Sequence, residues 1–306
     1  MKARLIEDGG AAASDAEQFF RSPPFLEAEA ATHTLAIEGE RELRFPLIVR
    51  SIDSSGRVDA ISPYGYPGAD RAPDDPPDPV RMDWSETGLV SIFVRDRVGA
   101  RPSLAGGTVR SHVHVAEGDG GVRKRLREQI RRNERRGWGT RLIPGRQVEM
   151  GDLRDFERAY AETMARTGAA KRYLYPTSYF ARLLLSERSW LVLAEREGVA
   201  LAGAIAAASD GYLHYYLGGT ADEALHDSPM KNLFWAMIGL GGELGLPVSL
   251  GGGVNPGDSL DKFKRGFANA EVPWHTHEVI CDAEAYEELS AAAGAAPGGF
   301  FPAYRA

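Results

Sequence analysis

The residues best suited to chemistry lie late in the chain, in DSLDKFKRGFANAEVPWHTH (residues 258–277). Lys262, Lys264 and Arg265 sit among Phe263 and Phe267, and Gly266 permits close approach of another backbone. A lysine held between aromatic rings offers fixed positive charge to a developing oxyanion or to a phosphate. A cationic surface loop would use the same residues, and the pattern alone leaves both readings open.

Other chemical motifs fall away on inspection. The string GDSL at 257–260 is shared with a serine-hydrolase family. That chemistry needs a serine after an early strand and an Asp-x-x-His downstream. The string is late here, and the residues three before His275 and His277 are Val272 and Trp274. Asp258 and Ser259 serve more simply as a helix start. The pairs His112/His114 and His275/His277 put two rings on one strand face, but no third ligand is patterned nearby, so no metal is expected. The single cysteine, Cys281, excludes a disulfide scaffold within the chain. There is no Walker lysine loop, and GGGVNPG (251–257) lacks the spacing of a dinucleotide fingerprint. No cofactor is expected.

Charge is unevenly spread over the 306 residues. The net value of −7 argues against a generic nucleic-acid binder, and no DNA partner is expected. Yet RKRLREQIRRNERR (123–136) holds eight bases against Glu128 and Glu134. Val122, Leu126, Gln129, Ile130 and Asn133 form one narrow seam of that segment, so a docked helix would turn its arginines outward. Such a face is either simply solvated or tracks a polyanion such as a phosphate backbone. The stretch PGADRAPDDPPDP (67–79) reads as a surface loop, because prolines lack the N–H that inner strands and helices need. No apolar run approaches the ~18 residues of a membrane span, and the first ten residues carry the acids Glu7 and Asp8, unlike a secretory leader. The cytoplasm is the expected compartment.

The elements that must position these residues form two rounds. Residues 15–30 read as a helix, 32–37 and 43–49 as strands about a tight turn, and 59–66 as further extended chain. A short helix is expected around Trp84, then strands at 89–94 and 111–115. In the second round Leu153, Phe156, Tyr160 and Met164 recur at helical spacing until Gly168. A helix at 179–185, strands at 190–194, 199–208 and 212–217, and a helix from Met230 to about Leu244 behind Ser228-Pro229 follow, with a short buried strand at 247–250. LAIEGERELRFPLIV (35–49) and LVLAEREGVALAGAI (191–205) share a strand–turn–strand pattern, each followed by a tyrosine-rich segment ending at glycine: ISPYGYPG and LHYYLGGT. The two halves read as an internal duplication of one α+β unit.

The ordered set HYYLGGT (214–220), DSPMKNLFWAMI (227–238), SLGGG (249–253) and FKRGF (263–267), with ISPYGYPG in the first half, resembles the FemABX family of aminoacyl-tRNA-dependent peptidyltransferases. The likeness spans most of residues 35–277. It implies an α+β fold of two tandem GNAT-like (acyl-CoA N-acyltransferase-like) domains, each a mixed, mostly antiparallel sheet flanked by helices. The first would cover 1–146, with 285–306 a candidate to complete it, and the second 147–284. The implied reaction moves an aminoacyl group from its tRNA ester to an amine of a peptide, amino nucleoside or muropeptide-type acceptor. By the same resemblance Lys264, after Phe263, stabilises the tetrahedral oxyanion. Tyr215 and Tyr216 line the acyl channel, and Tyr64 and Tyr66 lie toward the acceptor. Arg123, Arg127, Arg131, Arg132 and Arg135 would meet the tRNA.

No protein general base is implied, and an activated ester needs orientation and charge stabilisation more than a covalent nucleophile. An acyl-CoA or acyl-carrier-dependent N-acyltransferase on the same fold is the alternative. Ordinary acetyl-CoA enzymes of this fold cradle the pyrophosphate on a glycine-containing loop, whereas TADEALHDSP (220–229) has no glycine and three acids. A binding module without catalysis is the third class. The heptad arm of some cell-wall members is missing, so compact antibiotic-biosynthesis members are the nearer comparison.

Overall fold

A computed structural model describes residues 1–52, 56–253, 255, 257–295 and 299–306. Residues 254 and 256 of the GGGVNPG stretch and 296–298 of the alanine- and glycine-rich segment near the C-terminus lie outside the described residues. The chain divides into two units. One comprises Met1–Ala16, Phe20–Arg110 and Pro273–Ala306; the other comprises Glu17–Phe19 and Ser111–Val272.

The first unit opens with β1 (Ala3–Ile6), α1 (Pro23–Ala28), β2 (His33–Ile37), β3 (Leu43–Ser51), β4 (Val58–Ile61) and β5 (Leu89–Arg95). Strands β1 to β4 pair antiparallel in sequence order, and β4 then runs parallel to β5. A parallel pair needs a crossover. Here it is the proline-rich stretch between β4 and β5, where the only regular piece among the described residues is a 3-10 turn at Pro79–Arg81.

The second unit contains β6 (Thr108–Ala116), α2 (Lys124–Arg135), β7 (Trp138–Pro144), α3 (Met150–Arg166), α4 (Thr177–Leu183), β8 (Ser189–Arg196), β9 (Val199–Ser209), β10 (Tyr212–Thr220), α5 (Met230–Leu244), β11 (Val248–Gly251) and α6 (Ser259–Arg265). The chain then re-enters the first unit through β12 (Ala270–Ile280), which pairs with β5, and α7 (Ala283–Ala292). Within this unit the order is β7-β8-β9-β10-β11-β6, with β10 and β11 parallel and the rest antiparallel. The first unit has the equivalent order, β1-β2-β3-β4-β5-β12, with its parallel pair in the same place. The duplication read from the hairpins is thus present in topology. In each unit the sixth strand pairs antiparallel with the fifth.

Small residues explain how β9 is buried almost end to end. VALAGAIAAAS presents alanine and glycine on both faces, so α3 and α5 both pack against it. Gly219 on β10 is needed for the α3 side: a Cβ there would lie 2.5 Å from the Ala159 carbonyl oxygen and 2.5 Å from the Tyr160 Cα. Of the stripe Leu153, Phe156, Tyr160 and Met164 expected on α3, the first three are buried together with Ala159, while Met164 is half-buried. Helix α5 buries Leu233, Phe234, Met237, Ile238 and Leu240.

Several local expectations fail for identifiable reasons. The helix expected over 15–30 shrinks to a 3-10 turn at Phe19–Arg21 and the six residues of α1, because Pro23-Pro24 can open a helix but not continue one. Around Trp84 there is no helix; its indole donates to the Pro79 carbonyl within a turn. Ser228 is not the N-cap of α5: it has φ 53°, and Pro229 holds that position. Strand β4 ends at Ile61, so Tyr64 and Tyr66 lie in the following loop rather than on a strand. The division falls at Arg110/Ser111 rather than after residue 146, because α2 packs on α5 and β7 pairs with β8. At the C-terminus Tyr304 meets Ser91 at 2.8 Å and Arg305 donates to Asp59, inside the first unit.

Candidate active site

Strands β10 and β11 pair over only two positions, Leu213↔Val248 and His214↔Ser249. Beyond them the β10–β9 ladder slips between Tyr215 and Leu217, and the β11–β6 ladder slips between Ser249 and Gly251. Each slip inserts an unpaired residue and bends its strand. The chain leaves β11 and enters α6, where Asp258 caps the helix by accepting from the Asp261 amide at 2.7 Å. The GDSL string is therefore a helix start.

Lys264 lies in the last turn of α6 and is 6% exposed. Its Nζ donates to the Gly252 carbonyl at 2.7 Å and sits 5.4 Å from the centroid of the Tyr215 ring. Phe234 of α5 anchors the surroundings, meeting Tyr215 at 5.0 Å and both Phe263 and Phe267 at 5.3 Å between centroids. Burial in this aromatic setting pushes the Lys264 ammonium down to about 8, against the pull of Asp258 and Asp261. An ammonium has three donors. Among the described residues one is used, on Gly252, which leaves two for a negative oxygen.

Beneath α6 runs a buried polar chain. His114 of β6, 1% exposed, meets Asp261 Oδ1 through Nε2 at 2.7 Å. The other Asp261 oxygen accepts from Arg265 at 3.2 Å, and Glu271 lies 3.2 Å from His114 Nδ1 without hydrogen-bond geometry. The bond from His114, with Arg265 nearby, holds the Asp261 carboxyl below its ordinary range.

The remaining sequence-derived candidates scatter. Tyr215 joins Lys264, but its neighbour Tyr216 does not: Tyr216 meets the Tyr179 hydroxyl at 3.1 Å and the edge of Phe19. Neighbouring strand residues face opposite ways. Tyr64 and Tyr66 belong to the first unit. The Tyr64 amide donates to Glu29, and Tyr66 is clasped edge-on by Phe20 and Trp274 at 5.4 and 5.2 Å.

Helix α2 docks beside the lysine motif as its seam predicts. The Arg123 amide donates to the Gly266 carbonyl at 3.0 Å, and a Cβ on Gly266 would lie 2.7 Å from Leu126. Arg123, Arg131, Arg132 and Arg135 are exposed and make no ion pair among the described residues. Arg127 differs: it donates to the Val122 and Asp119 carbonyls and lies over Trp235, which ties it to its own unit.

Ahead of α5, Asp227 is a knot that the sequence did not single out. Its buried carboxylate accepts from Arg136 at 2.8 Å, Arg196 at 2.9 Å and the Trp138 indole at 3.1 Å. Burial would raise its pKa, but Trp138, His226 and Arg136 outweigh that and lower it. The loop at 220–229 thus fills its own cationic corner with a protein carboxylate. Neither the knot nor the His114–Asp261 bond is visible in linear spacing, since the partners lie about 90 and 147 positions apart. The one local hint is that Asp261 precedes Lys264 by three, one turn along a helix.

Comparison with known proteins bears on the fold. Residues 120–265 match the family model of the acetyltransferase (GNAT) domain. The crystal structure of FemX superposes with a TM-score of 0.63 at 12% identity, covering 90% of this chain and 94% of its own. The fold is GNAT-like. The resemblance to the FemABX family therefore extends from motifs to fold. The C-terminal domain of a putative lysylphosphatidylglycerol synthetase from Agrobacterium fabrum gives 0.56 at 14% identity, over 96% of this chain and 97% of that one. L-PGS from Bacillus licheniformis gives 0.55 at 10%, over 81% and 84%. No curated protein matches the sequence closely enough to count as a relative. No helix among the described residues is long and apolar enough to cross a membrane.

Proposed function

We propose that this chain is an aminoacyl-tRNA-dependent transferase that forms an amide bond, with Lys264 stabilising the oxyanion. The observation that carries the reading is the buried ammonium of Lys264 in the FKRGF motif, which among the described residues spends one donor, on Gly252, and lies beside the Tyr215 ring. The acceptor nitrogen adds to the ester carbonyl carbon, and the carbonyl oxygen takes the negative charge. Two N–H groups of Lys264 meet that oxygen in a weakly screened setting, where a fixed charge needs no reorganisation. Collapse re-forms the carbonyl and breaks the ester C–O bond; the ribose oxygen leaves as a hydroxyl with the proton the amine gives up. A protein nucleophile has no part in this scheme, since the ester is already activated.

The exposed arginines of α2, one helix away from the motif through Gly266, are the surface proposed for the tRNA backbone. Tyr64 and Tyr66 are proposed for the acceptor side by family resemblance. The acyl-CoA alternative draws on the GNAT domain match, but Asp227 argues against it. A diphosphate arriving ahead of α5 would meet Asp222, Glu223 and an aspartate already occupying Arg136 and Arg196.

The test is a screen of pooled charged tRNAs against candidate amines with mass detection of the amide. Product that disappears after RNase treatment is the expected result. Product that survives RNase, or saturable turnover of acyl-CoA without RNA, overturns the tRNA reading.

A further inference from the structure

The polar chain under α6 closes a loop around Lys264. Gly251 of β11 lies opposite His114 of β6 in the ladder, and the next carbonyl, Gly252, accepts from the Lys264 ammonium. His114 in turn bonds Asp261, one helical turn before Lys264. The lysine is thus held at its tip by the residue after β11, and at its root by a histidine on the strand β11 pairs with. His114 and Asp261 are both buried, so this bond is well shielded from water.

We propose that His114 and Asp261 are positioning residues whose bond fixes α6 against β6, so that the Lys264 ammonium stays seated on the Gly252 carbonyl beside Tyr215. The inference rests on the reading that Lys264 meets the oxyanion, but it concerns how the lysine is held. A helix of seven residues has few contacts of its own to fix its rotation. Losing the His114 bond leaves Asp258 capping the first turn while the Asp261 carboxylate turns toward Arg265 alone. A shift of about an ångström in a positioned group costs up to ~10²-fold in rate. The charged groups facing the dyad are Arg265 of α6 and Glu271 of β12; those acting on Lys264 are Asp258 and Asp261.

The test uses His114→Ala, His114→Gln, which keeps an N–H donor, and Asp261→Asn, which keeps the volume. Two readouts are taken on the whole chain: titration of the Lys264 ammonium by NMR with labelled lysine, and kcat and KM for transfer from charged tRNA. His114→Ala is expected to move the titration of Lys264 from about 8 up toward the ordinary lysine value, as water reaches the ammonium. It should lower kcat about 10- to 100-fold with KM for tRNA changed less than twofold, and His114→Gln should restore most of both. A Lys264 titration unmoved in folded His114→Ala and Asp261→Asn variants overturns the proposal. If the titration moves but wild-type protein transfers nothing from any charged tRNA, the positioning stands and the functional reading falls.

Discussion

The Lys264 ammonium lies 5.4 Å from the centre of the Tyr215 ring, and that ring is braced edge-on by Phe234 at 5.0 Å. A cation over an aromatic face is stabilised by ~0.5–2 kcal/mol, more as water is excluded. The ring face, rather than the hydroxyl, is what the lysine meets. Tyr215→Phe should therefore keep turnover within about threefold, while Tyr215→Ala should lower it about tenfold, in proportion to the interaction removed. Equal losses in the two variants would assign the effect to the hydroxyl instead.

Because Lys264 must be charged to meet an oxyanion, its depressed pKa sets an alkaline limit. With an acceptor amine already neutral at pH 7, single-turnover rates should fall as pH rises through about 8. Stability should move the other way. The folded group titrates near 8 and the unfolded one at 10.5, so between those values the unfolded chain binds the extra proton and unfolding free energy rises with pH. Lys264→Met should lack both features. A flat rate profile to pH 10 would show that the ammonium charge is not used.

The arginines of α2 separate into two kinds. Neutralising Arg131 and Arg132, both exposed, should weaken tRNA binding and reduce the slope of log affinity against log salt by about two. Arg127→Ala should chiefly lower thermal stability, since Arg127 braces the 119–122 turn and covers Trp235. An unchanged salt slope in the double variant would remove α2 from the tRNA surface.

The Asp227 knot predicts a pH-dependent contribution at the acid end. Its carboxyl is depressed in the fold, so its stabilisation is complete above the usual carboxylate range and fades as pH falls through the lowered value. Asp227→Ala strands the Trp138 indole and leaves Arg136 and Arg196 without their partner. A loss of about 2 kcal/mol is expected at neutral pH, measured by urea unfolding and much reduced near pH 2. A loss equal at both pH values would mean that volume, not charge, is what Asp227 supplies.

How far the sequence could be read depended on whether a feature is local. Helix α3 and the β8–β9–β10 meander follow from periodicity and glycine turns, and the FKRGF motif places Lys264 among phenylalanines in one short string. The extended segment expected through Tyr64 and Tyr66 is not a strand, since β4 stops at Ile61 and the tyrosine-rich pattern of the second half does not carry over to the first. Tyr215 and Tyr216 are adjacent in the motif, yet Tyr215 lies beside Lys264 while Tyr216 meets Tyr179. The His114–Asp261 bond was out of reach, since it is made only when β6 and α6 come together across 147 positions. The unit boundary was hidden for the same reason: α2 looks like a surface helix until Leu126 is seen against Gly266.

Lys264 is proposed to act on the charge formed during acyl transfer. Single-turnover transfer from a charged tRNA to an amine, measured for wild type and Lys264→Ala at pH 7, tests it most directly. A fall of about 10²-fold or more is expected, with tRNA affinity nearly unchanged. Transfer at the wild-type rate by a folded Lys264→Ala protein would contradict it.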